Sequence, residues 1–273
     1  MKKIHFLVFF FALFNFFLLG LIISNNFKLK SDGQDILAEK DYKKAPESKP
    51  AKPEVKYQDA LNLIDSSKIK NNLEYLTSPE LEGRMSGKNG NVIAAEFIKE
   101  EFEACGLITR YHKFGITRMN NGPKNEAGYN FTQNVYGMLE GSDPQFKEEI
   151  VIVGAHMDHI GYGPKMSRTP YQQKIHPGAD DNASGTAVLI ELAKAFSKLT
   201  TKPKRTIVFQ AYSAEEMGLL GSRFYCDNPL YPLNNPRIDK HIFMLNMDMV
   251  GRLGKGQFFS GFNEAESSYD ITQ

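Results

Sequence analysis

The chain has 273 residues, of which 41% are hydrophobic and 24% are charged, and it can hold one sizeable α/β domain with appendages. The formal net charge of +1 gives no electrostatic reason to expect a nucleic acid or another acidic polymer as a partner. Two cysteines, Cys105 and Cys226, are too few for a disulfide-built scaffold, and one bridge or two free thiols both stay open.

The N-terminus has the pattern of an export signal. Lys2 and Lys3 precede a nearly unbroken apolar run, residues 6–24. A positive segment before such a run is typical of a signal peptide, and the run also approaches the roughly 20 residues that span a bilayer. No convincing cleavage site follows, so residues 1–26 are either a signal peptide or a membrane anchor through residues 4–24. We therefore expect an exported protein, either periplasmic or extracellular or held at a membrane.

A linker and two helices are predicted next. Residues 27–56 are rich in Lys, Asp and Glu and contain three prolines, so they cannot bury enough apolar surface to offset the entropy of ordering. We expect a flexible charged linker there and a folded domain over residues 57–273. The first helices of this domain are predicted at residues 60–76 and 91–105. Gly106 fits the position just past the end of the second helix.

Three later segments are predicted to be buried strands: residues 149–155, 205–212 and 241–246. Each is a short apolar run rich in Val, Ile or Phe without alternation, as in sheets that are covered on both faces. A helix is predicted between the first two strands, at residues 184–199. This order indicates an α/β fold, a three-layer α/β/α sandwich with a largely parallel central sheet.

Ionisable residues follow each predicted strand directly. His156 and Asp158 come after the first strand, Glu215 and Glu216 after the second, and Asp248 after the third. In open α/β sheets, functional sites form outside the carboxyl ends of the strands. These side chains are therefore expected to lie together.

A fourth cluster, Asp180 and Asp181, lies in the loop before the predicted helix. Two aspartates before a helix are usually an N-cap, and a pair of glutamates is usually a solvated helix start. Those explanations do not account for the joint placement of four clusters at one end of the sheet. Imidazole and carboxylate ligands suit Zn²⁺, and no cysteine lies in these motifs to close a structural site. The pattern predicts an open, hydrolytic metal site.

Four ordered motifs resemble those of the co-catalytic zinc aminopeptidases, a family that also includes relatives similar to glutamate carboxypeptidase and the transferrin receptor. The motifs are HMDHIGYG (156–163), GADDNASGTAVLIELA (178–193), AEEMGLLGS (214–222) and NMDMVGR (246–252). The stretch SPELEGRMSGKNGN (78–91) fits the lead-in of the same family, and the resemblance covers roughly residues 73–261. It implies an exopeptidase that acts on peptides with two zinc ions.

The resemblance also implies a ligand role for four residues. His156 and Asp248 would bind one zinc ion, and Glu216 would bind the other. Asp181 would bridge both ions, with a cis peptide bond to Asn182 as in other functional sites of unusual backbone geometry.

Two further residues would take part in catalysis. Glu215 would be the general base that takes a proton from the attacking water and gives it to the leaving amine. Asp158 would accept a hydrogen bond that orients His156. Two zinc ions about 3.5–4 Å apart would polarise the peptide carbonyl and lower the pKa of water from about 15.7 towards 7.

One ligand of the family is not found in this chain. Family members supply a further histidine to the second zinc ion, well downstream of the residue that matches Asp248. The remaining histidines do not match that position: His5, His112, His159, His176 and His241. We therefore expect a C-terminally truncated peptidase domain, with an incomplete sheet and a second zinc site that is short by one ligand.

Three functions stay open. The intact motifs favour an exported aminopeptidase. A glutaminyl cyclase would use the same frame with a single zinc ion. A catalytically incomplete fragment, or a binding protein like the transferrin receptor, would keep the fold without the reaction.

Overall fold

The computed structural model describes residues 57–116, 131–164, 166–167, 173–230 and 238–252. The predicted export segment, residues 1–26, and the predicted linker, residues 27–56, lie outside these residues and stay predictions. In the part of the chain that is described, no helix is long and apolar enough to cross a membrane.

The folded domain begins with two helices. Helix α1 covers Tyr57–Leu61 and helix α2 covers Ser66–Leu76. Between them, Asp65 has an extended backbone, and its side chain accepts a hydrogen bond from Ser67 N at 2.8 Å. This is an N-cap, which starts a new helix. The prediction of one continuous helix over residues 60–76 was therefore wrong, because apolar spacing alone does not register the cap.

Three further helices follow in the part of the chain that the structure describes. Helix α3 covers Asn89–Ala104, within two residues of the prediction, and Gly106 follows it with a φ of +75°. Helix α4 covers Gly185–Ser197, inside the predicted range, and helix α5 covers Leu220–Asp227. A 3₁₀ segment, Pro79–Arg84, precedes α3.

Five strands form one mixed sheet in the order β1-β2-β4-β3-β5. Strand β3 runs parallel to both β4 and β5, whereas β1 and β2 are antiparallel to their neighbours. The α/β fold is confirmed, and so is the parallel pairing of the three strands that were predicted. Strands β1 and β2 had no predicted bounds. Because both are antiparallel to their neighbours, the sheet is mixed instead of largely parallel. The strands are Ile108–Gly115 (β1), Phe131–Leu139 (β2), Ile150–His156 (β3), Thr206–Tyr212 (β4) and His241–Asn246 (β5).

Helices cover both faces of this sheet. On one face, Val153 and Phe209 pack in a core cluster with Phe102 of α3 and with residues of α4. On the other face, Val208 packs in a cluster that contains Tyr225 of α5. Every residue of β3 and β4 is buried, which explains why their sequences are apolar without alternation. The predicted three-layer arrangement is confirmed.

The parallel strands bring their carboxyl ends to one edge of the sheet. Hydrogen bonds continue the ladder beyond the strands, from Met157 N to Tyr212 O and from Met247 N to Gly154 O, both at 2.8 Å. The loops after β3, β4 and β5 therefore leave the sheet side by side, as expected where open α/β folds build their sites.

Candidate metal centre

His156, Asp181 and Asp248 form a first group of candidate metal ligands at this edge. The Nε2 atom of His156 lies 3.2 Å from Asp181 Oδ1 and 3.5 Å from Asp248 Oδ1. Tetrahedral zinc, with bonds of about 2.0–2.1 Å, places its ligand atoms roughly 3.3 Å apart. The side chains of this group therefore already stand at the separation that a zinc ion requires.

His159, Asp181 and Glu216 form a second group, which shares Asp181 with the first. His159 Nδ1 lies 2.6 Å from Glu216 Oε1 and 4.0 Å from Asp181 Oδ1. Both atoms are buried and lie at ion-pair distance from each other, but within the described residues neither forms a hydrogen bond of acceptable geometry. A metal ion between them would give both atoms a partner. The two atoms would have to separate by under roughly 1 Å to become ligands of the same ion.

The sequence predicted no ligand role for His159, because it does not match the position of the downstream histidine of the family. The structure nevertheless brings it to Glu216. The His159 ring packs against Gly178, where a side chain would leave no room for it: a Cβ added at Gly178 would lie 2.5 Å from His159 Cγ. The sequence signal was its position three residues after His156, in the same strand-end loop.

Asp181 lies in an irregular turn, Ala179–Ser184, in which its own backbone is extended, and its peptide bond to Asn182 is cis, as the resemblance implied. The side chain of Asn182 is fully buried. It donates a hydrogen bond from Nδ2 to Met247 O at 2.9 Å, and its Oδ1 accepts one from Met249 N at 3.2 Å. Asn182 thus connects the loop of the shared ligand to the loop that carries Asp248.

Asp180 connects the same two loops a second time. Its Oδ1 accepts a hydrogen bond from Gly251 N at 2.9 Å, and its Oδ2 lies 2.6 Å from Arg252 Nε. Ser184 Oγ donates to Asp180 O at 2.6 Å and accepts from Val250 N at 3.1 Å. Ser184 forms no side-chain cap on α4, whereas Asn182 Oδ1 accepts a hydrogen bond from Gly185 N at 3.0 Å, so N-capping accounts for Asn182 but not for the contacts of Asp180 and Ser184.

Glu215 lies at the edge of the first ligand group, with its Oε2 4.0 Å from His156 Nε2. Burial raises the pKa of its carboxyl above the ordinary value; the His156 ring lowers it, and neighbouring carboxylates, including Asp158, raise it further. A carboxyl with a raised pKa suits a general base that works near neutral pH.

Asp158 contacts Glu215 more closely than it contacts His156. Its Oδ1 accepts a hydrogen bond from Glu215 N at 3.1 Å. The distance to His156 Nδ1 is 3.6 Å, so the predicted orienting hydrogen bond is not formed. Asp158 still acts through its charge: burial lowers the pKa of His156, but the neighbouring carboxylates of Asp158, Asp181 and Asp248 raise it above its ordinary value. A metal ion must therefore displace a proton from His156.

A buried polar network supports the loop after β4. Ser213 Oγ lies 2.7 Å from both Ser86 Oγ and Thr132 Oγ1, and Asn91 Oδ1 accepts from Thr132 Oγ1 at 2.9 Å. Asn134 Oδ1 accepts from Ser213 N at 2.9 Å. A network with satisfied partners fixes a single conformation. Its members are small polar residues on separate elements. Ser86 and Asn91 lie in the lead-in segment of the resemblance, but the sequence did not predict a network there.

Arg84 is fully buried beside both ligand groups. Its guanidinium donates hydrogen bonds to four main-chain carbonyl oxygens, those of Leu76, Met157, Pro177 and Gly178. Burial lowers the pKa of Arg84 to about 10, against the opposing effect of nearby carboxylates. The side chain therefore stays charged at neutral pH. It lies in the lead-in segment of the resemblance, where the sequence assigned it no role.

Two comparisons of the sequence agree with this geometry. The sequence profile of Peptidase family M28 matches residues 134–273, about half of the chain. Leucine aminopeptidase 1 of Arthroderma otae is 28% identical over 251 residues, which are 87% of this chain and 61% of that protein. The chain thus spans less than two thirds of the length of this curated relative.

Solved structures have the same fold. A zinc aminopeptidase of Bacillus subtilis, BSAP, is similar with a TM-score of 0.52 and 17% identity, over 68% of this chain and 69% of that chain. Glutaminyl cyclase of Tannerella forsythia has a TM-score of 0.51 and 20% identity, over 68% and 62% of the two chains. At these identities the likeness shows the fold alone, which serves two different reactions.

Proposed function

Because the chain belongs to Peptidase family M28, we propose that the protein is a zinc-dependent aminopeptidase that removes N-terminal residues from peptides. The observation that carries this proposal is the pair of ligand groups joined through Asp181 at the carboxyl edge of the sheet. The similarity to a leucine aminopeptidase supports the same reaction class.

The residues of the centre would hold two zinc ions. His156, Asp181 and Asp248 would bind the first, and Asp181 and Glu216 would bind the second, with His159 as its nitrogen ligand. When bound, zinc polarises a peptide carbonyl and lowers the pKa of water from about 15.7 to about 7. The donor set fits this metal, since imidazole and carboxylate with open positions are typical of hydrolytic zinc sites.

Glu215 is the proposed general base. Its Oε2, which faces His156 at 4.0 Å, would accept a proton from the attacking water and deliver it to the nitrogen of the leaving amine. The raised pKa of its carboxyl favours the first of these transfers, the acceptance of the proton. The hydrogen bond from Glu215 N to Asp158 holds the backbone of the base against the loop after β3. General bases contribute about 10²–10⁴-fold to rates.

The test compares the full chain with Glu215→Gln and Glu216→Gln, and with Glu140→Gln as an exposed control. Zinc content and release of the N-terminal residue from short peptides are measured. Glu215→Gln should keep its zinc and lose about 10²–10⁴-fold in kcat, because only the base is removed. Glu216→Gln should lose zinc. Full turnover by Glu215→Gln would refute the role of the base.

The products separate the aminopeptidase from its competitors. A peptide with an N-terminal glutamine is offered to the zinc-loaded protein, and the products are identified by mass. Release of free glutamine is expected. A cyclised N-terminus with the peptide bonds intact would instead indicate a glutaminyl cyclase. Bound zinc without any conversion would indicate a binding protein.

An exported or membrane-anchored location belongs to the same proposal. The basic residues Lys2 and Lys3 before the apolar run at residues 6–24 support it. Fractionation of cells that produce the full chain should recover it outside the cytoplasm or in the membrane. A variant that lacks residues 1–26 should stay inside. Equal distribution of the two would contradict the proposal.

A further inference from the structure

Arg84 is a buried cation whose guanidinium donates to four main-chain carbonyls, one at the end of α2 and three in the loops beside the metal ligands. We propose that Arg84 is a positioning residue that clamps the His156 loop (residues 156–161) to the Asp181 loop (residues 177–182), and so sets the spacing of the metal ligands. The inference rests on the proposed function, because it concerns the same centre.

The guanidinium joins the two loops directly. Its Nε donates to Met157 O at 2.9 Å, in the loop that carries His156. Its terminal nitrogens donate to Pro177 O at 2.7 Å and to Gly178 O at 2.9 Å, just before Asp181. Because the guanidinium is a rigid planar fork, the positions of these carbonyls are fixed relative to one another. A flexible side chain with a single donor could not impose this geometry.

The main chain around Arg84 holds the His156 loop as well. His159 N donates to Arg84 O at 3.3 Å, and Gly161 N donates to Gly83 O at 3.1 Å. Both Gly83 and Arg84 have left-handed φ angles, +71° and +52°. A Cβ at position 83 would lie 2.4 Å from His176 O, so only glycine allows this approach. An arginine is uncommon in this backbone region. Its conformation is therefore stabilised both by the side-chain contacts and by the hydrogen bonds that Arg84 O accepts from His159 N and Asn91 Nδ2.

Arg84 also places a fixed positive charge beside the ligands. The carboxylates of Asp158, Asp181 and Glu216 interact favourably with it. Without a nearby cation, ionised carboxylates at such short range repel one another. Arg84 therefore offsets part of this repulsion before a metal ion arrives. Because a positive charge opposes a divalent ion, its gain in zinc affinity comes from the fork that fixes the two loops. A preorganised set of ligands binds more tightly than one that must be assembled.

Three variants of the full chain test the clamp. Arg84→Gln removes both the charge and the fork, whereas Arg84→Lys keeps the charge and loses the fork. Arg205→Gln is the matched control. Arg205 is also largely buried, it pairs with Glu149 at 2.6 Å, and it precedes β4 at the opposite end of the sheet.

Two properties are measured for each protein. Zinc affinity is determined by competition with a chromophoric chelator. Amide hydrogen exchange of the metal-free protein is followed in peptides that cover residues 156–161 and 177–182. Arg84→Gln should bind zinc about 10–100-fold more weakly, as expected when a residue that supports metal ligands is lost, and should exchange faster in both loops. Arg84→Lys should restore part of the affinity.

The control and the outcomes separate positioning from general stability. Arg205→Gln should unfold at a lower temperature yet keep the zinc affinity and the exchange of both loops. An equal loss of affinity in Arg84→Gln and Arg205→Gln would overturn the clamp. If Arg84→Gln does not fold, wild-type affinity in Arg84→Lys overturns it.

The clamp and the proposed function can fail separately. A wild-type chain that binds no zinc, but whose two loops exchange faster in Arg84→Gln, would refute the zinc enzyme and keep the clamp. Zinc binding by the wild-type chain, together with unchanged hydrogen exchange of both loops in Arg84→Gln, would keep the zinc enzyme and refute the clamp.

Discussion

Substitution of Asp158 separates two contributions of one buried carboxylate. Its Oδ1 accepts the hydrogen bond from Glu215 N at 3.1 Å, and its charge lies 3.6 Å from His156 Nδ1. Asp158→Ala removes both the acceptor and the charge. Asp158→Asn keeps an acceptor oxygen for Glu215 N and removes only the charge. The difference in stability between the two variants therefore measures the hydrogen bond. The change in zinc affinity that both variants show relative to the wild type measures the charge.

The expected magnitudes follow from these contacts. A buried N–H group without a partner costs about 1–3 kcal/mol, so the metal-free Ala variant should be less stable than the Asn variant by that amount. Both variants should bind zinc about 10–100-fold more weakly. The direction of the change in zinc affinity follows from charge. Asp158 stabilises the proton on His156, which competes with the metal, but it attracts a divalent ion more strongly than a single proton. Loss of Asp158 therefore weakens metal binding.

Urea unfolding of the metal-free proteins gives the first quantity, and competition with a chelator gives the second. Asp227→Asn, at an exposed position at the end of α5, is the control and should change neither. Equal stabilities of Asp158→Ala and Asp158→Asn would show that the bond to Glu215 contributes nothing. Wild-type zinc affinity in Asp158→Asn would refute the electrostatic role.

Two further predictions concern stability away from the ligands. Gly221→Ala should lower the free energy of unfolding by about 1–3 kcal/mol in urea titrations, because its Cβ would lie 2.1 Å from Ser213 O; a change no larger than that of the exposed Arg223→Ala would contradict this. Burial lowers the pKa of His112 below 6.5, so below about pH 6.5 the unfolded chain takes up a proton that the folded chain does not, and stability falls. His112→Phe should lose less stability between pH 7.5 and 5.5 than the wild type, and an equal loss would exclude His112 as the cause.

The ligand positions could be predicted because apolar runs mark the strands that carry them: β3 and β4 are fully buried, and β5 is partly buried. Continuous apolar runs locate β3, β4 and β5, and the first polar residues after them fall at one edge of a parallel sheet. His156 and Asp248 need no more information than this. The boundary at Asp65 was missed because an N-cap is a local hydrogen bond, which apolar spacing does not record.

Partners that are distant in the sequence could not be predicted. The pairing of β2 with β4 joins segments between which β3 and α4 lie in the sequence. The antiparallel direction of this pair therefore cannot be predicted from either strand alone. Arg84 contacts Pro177 and Gly178 across sequence separations of 93 and 94 residues. In the sequence an arginine between a glycine and a methionine looks like an ordinary surface residue, since burial of a charge requires partners that only the fold supplies.

The structure gives a physical reason for the polar residues that flank the ligands. Beyond the last ladder hydrogen bonds, at Met157 and Met247, side chains join the loops that follow the parallel strands. Asp158 connects the loop after β3 to Glu215, and Asn182 connects the Asp181 loop to the main chain before and after Asp248. Arg84 then joins the loop after β3 to the Asp181 loop. Every ligand loop is thus tied to another through a residue that is not a ligand. Loss of any one tie should therefore shift ligands on two loops at once, and metal affinity should respond before the fold does.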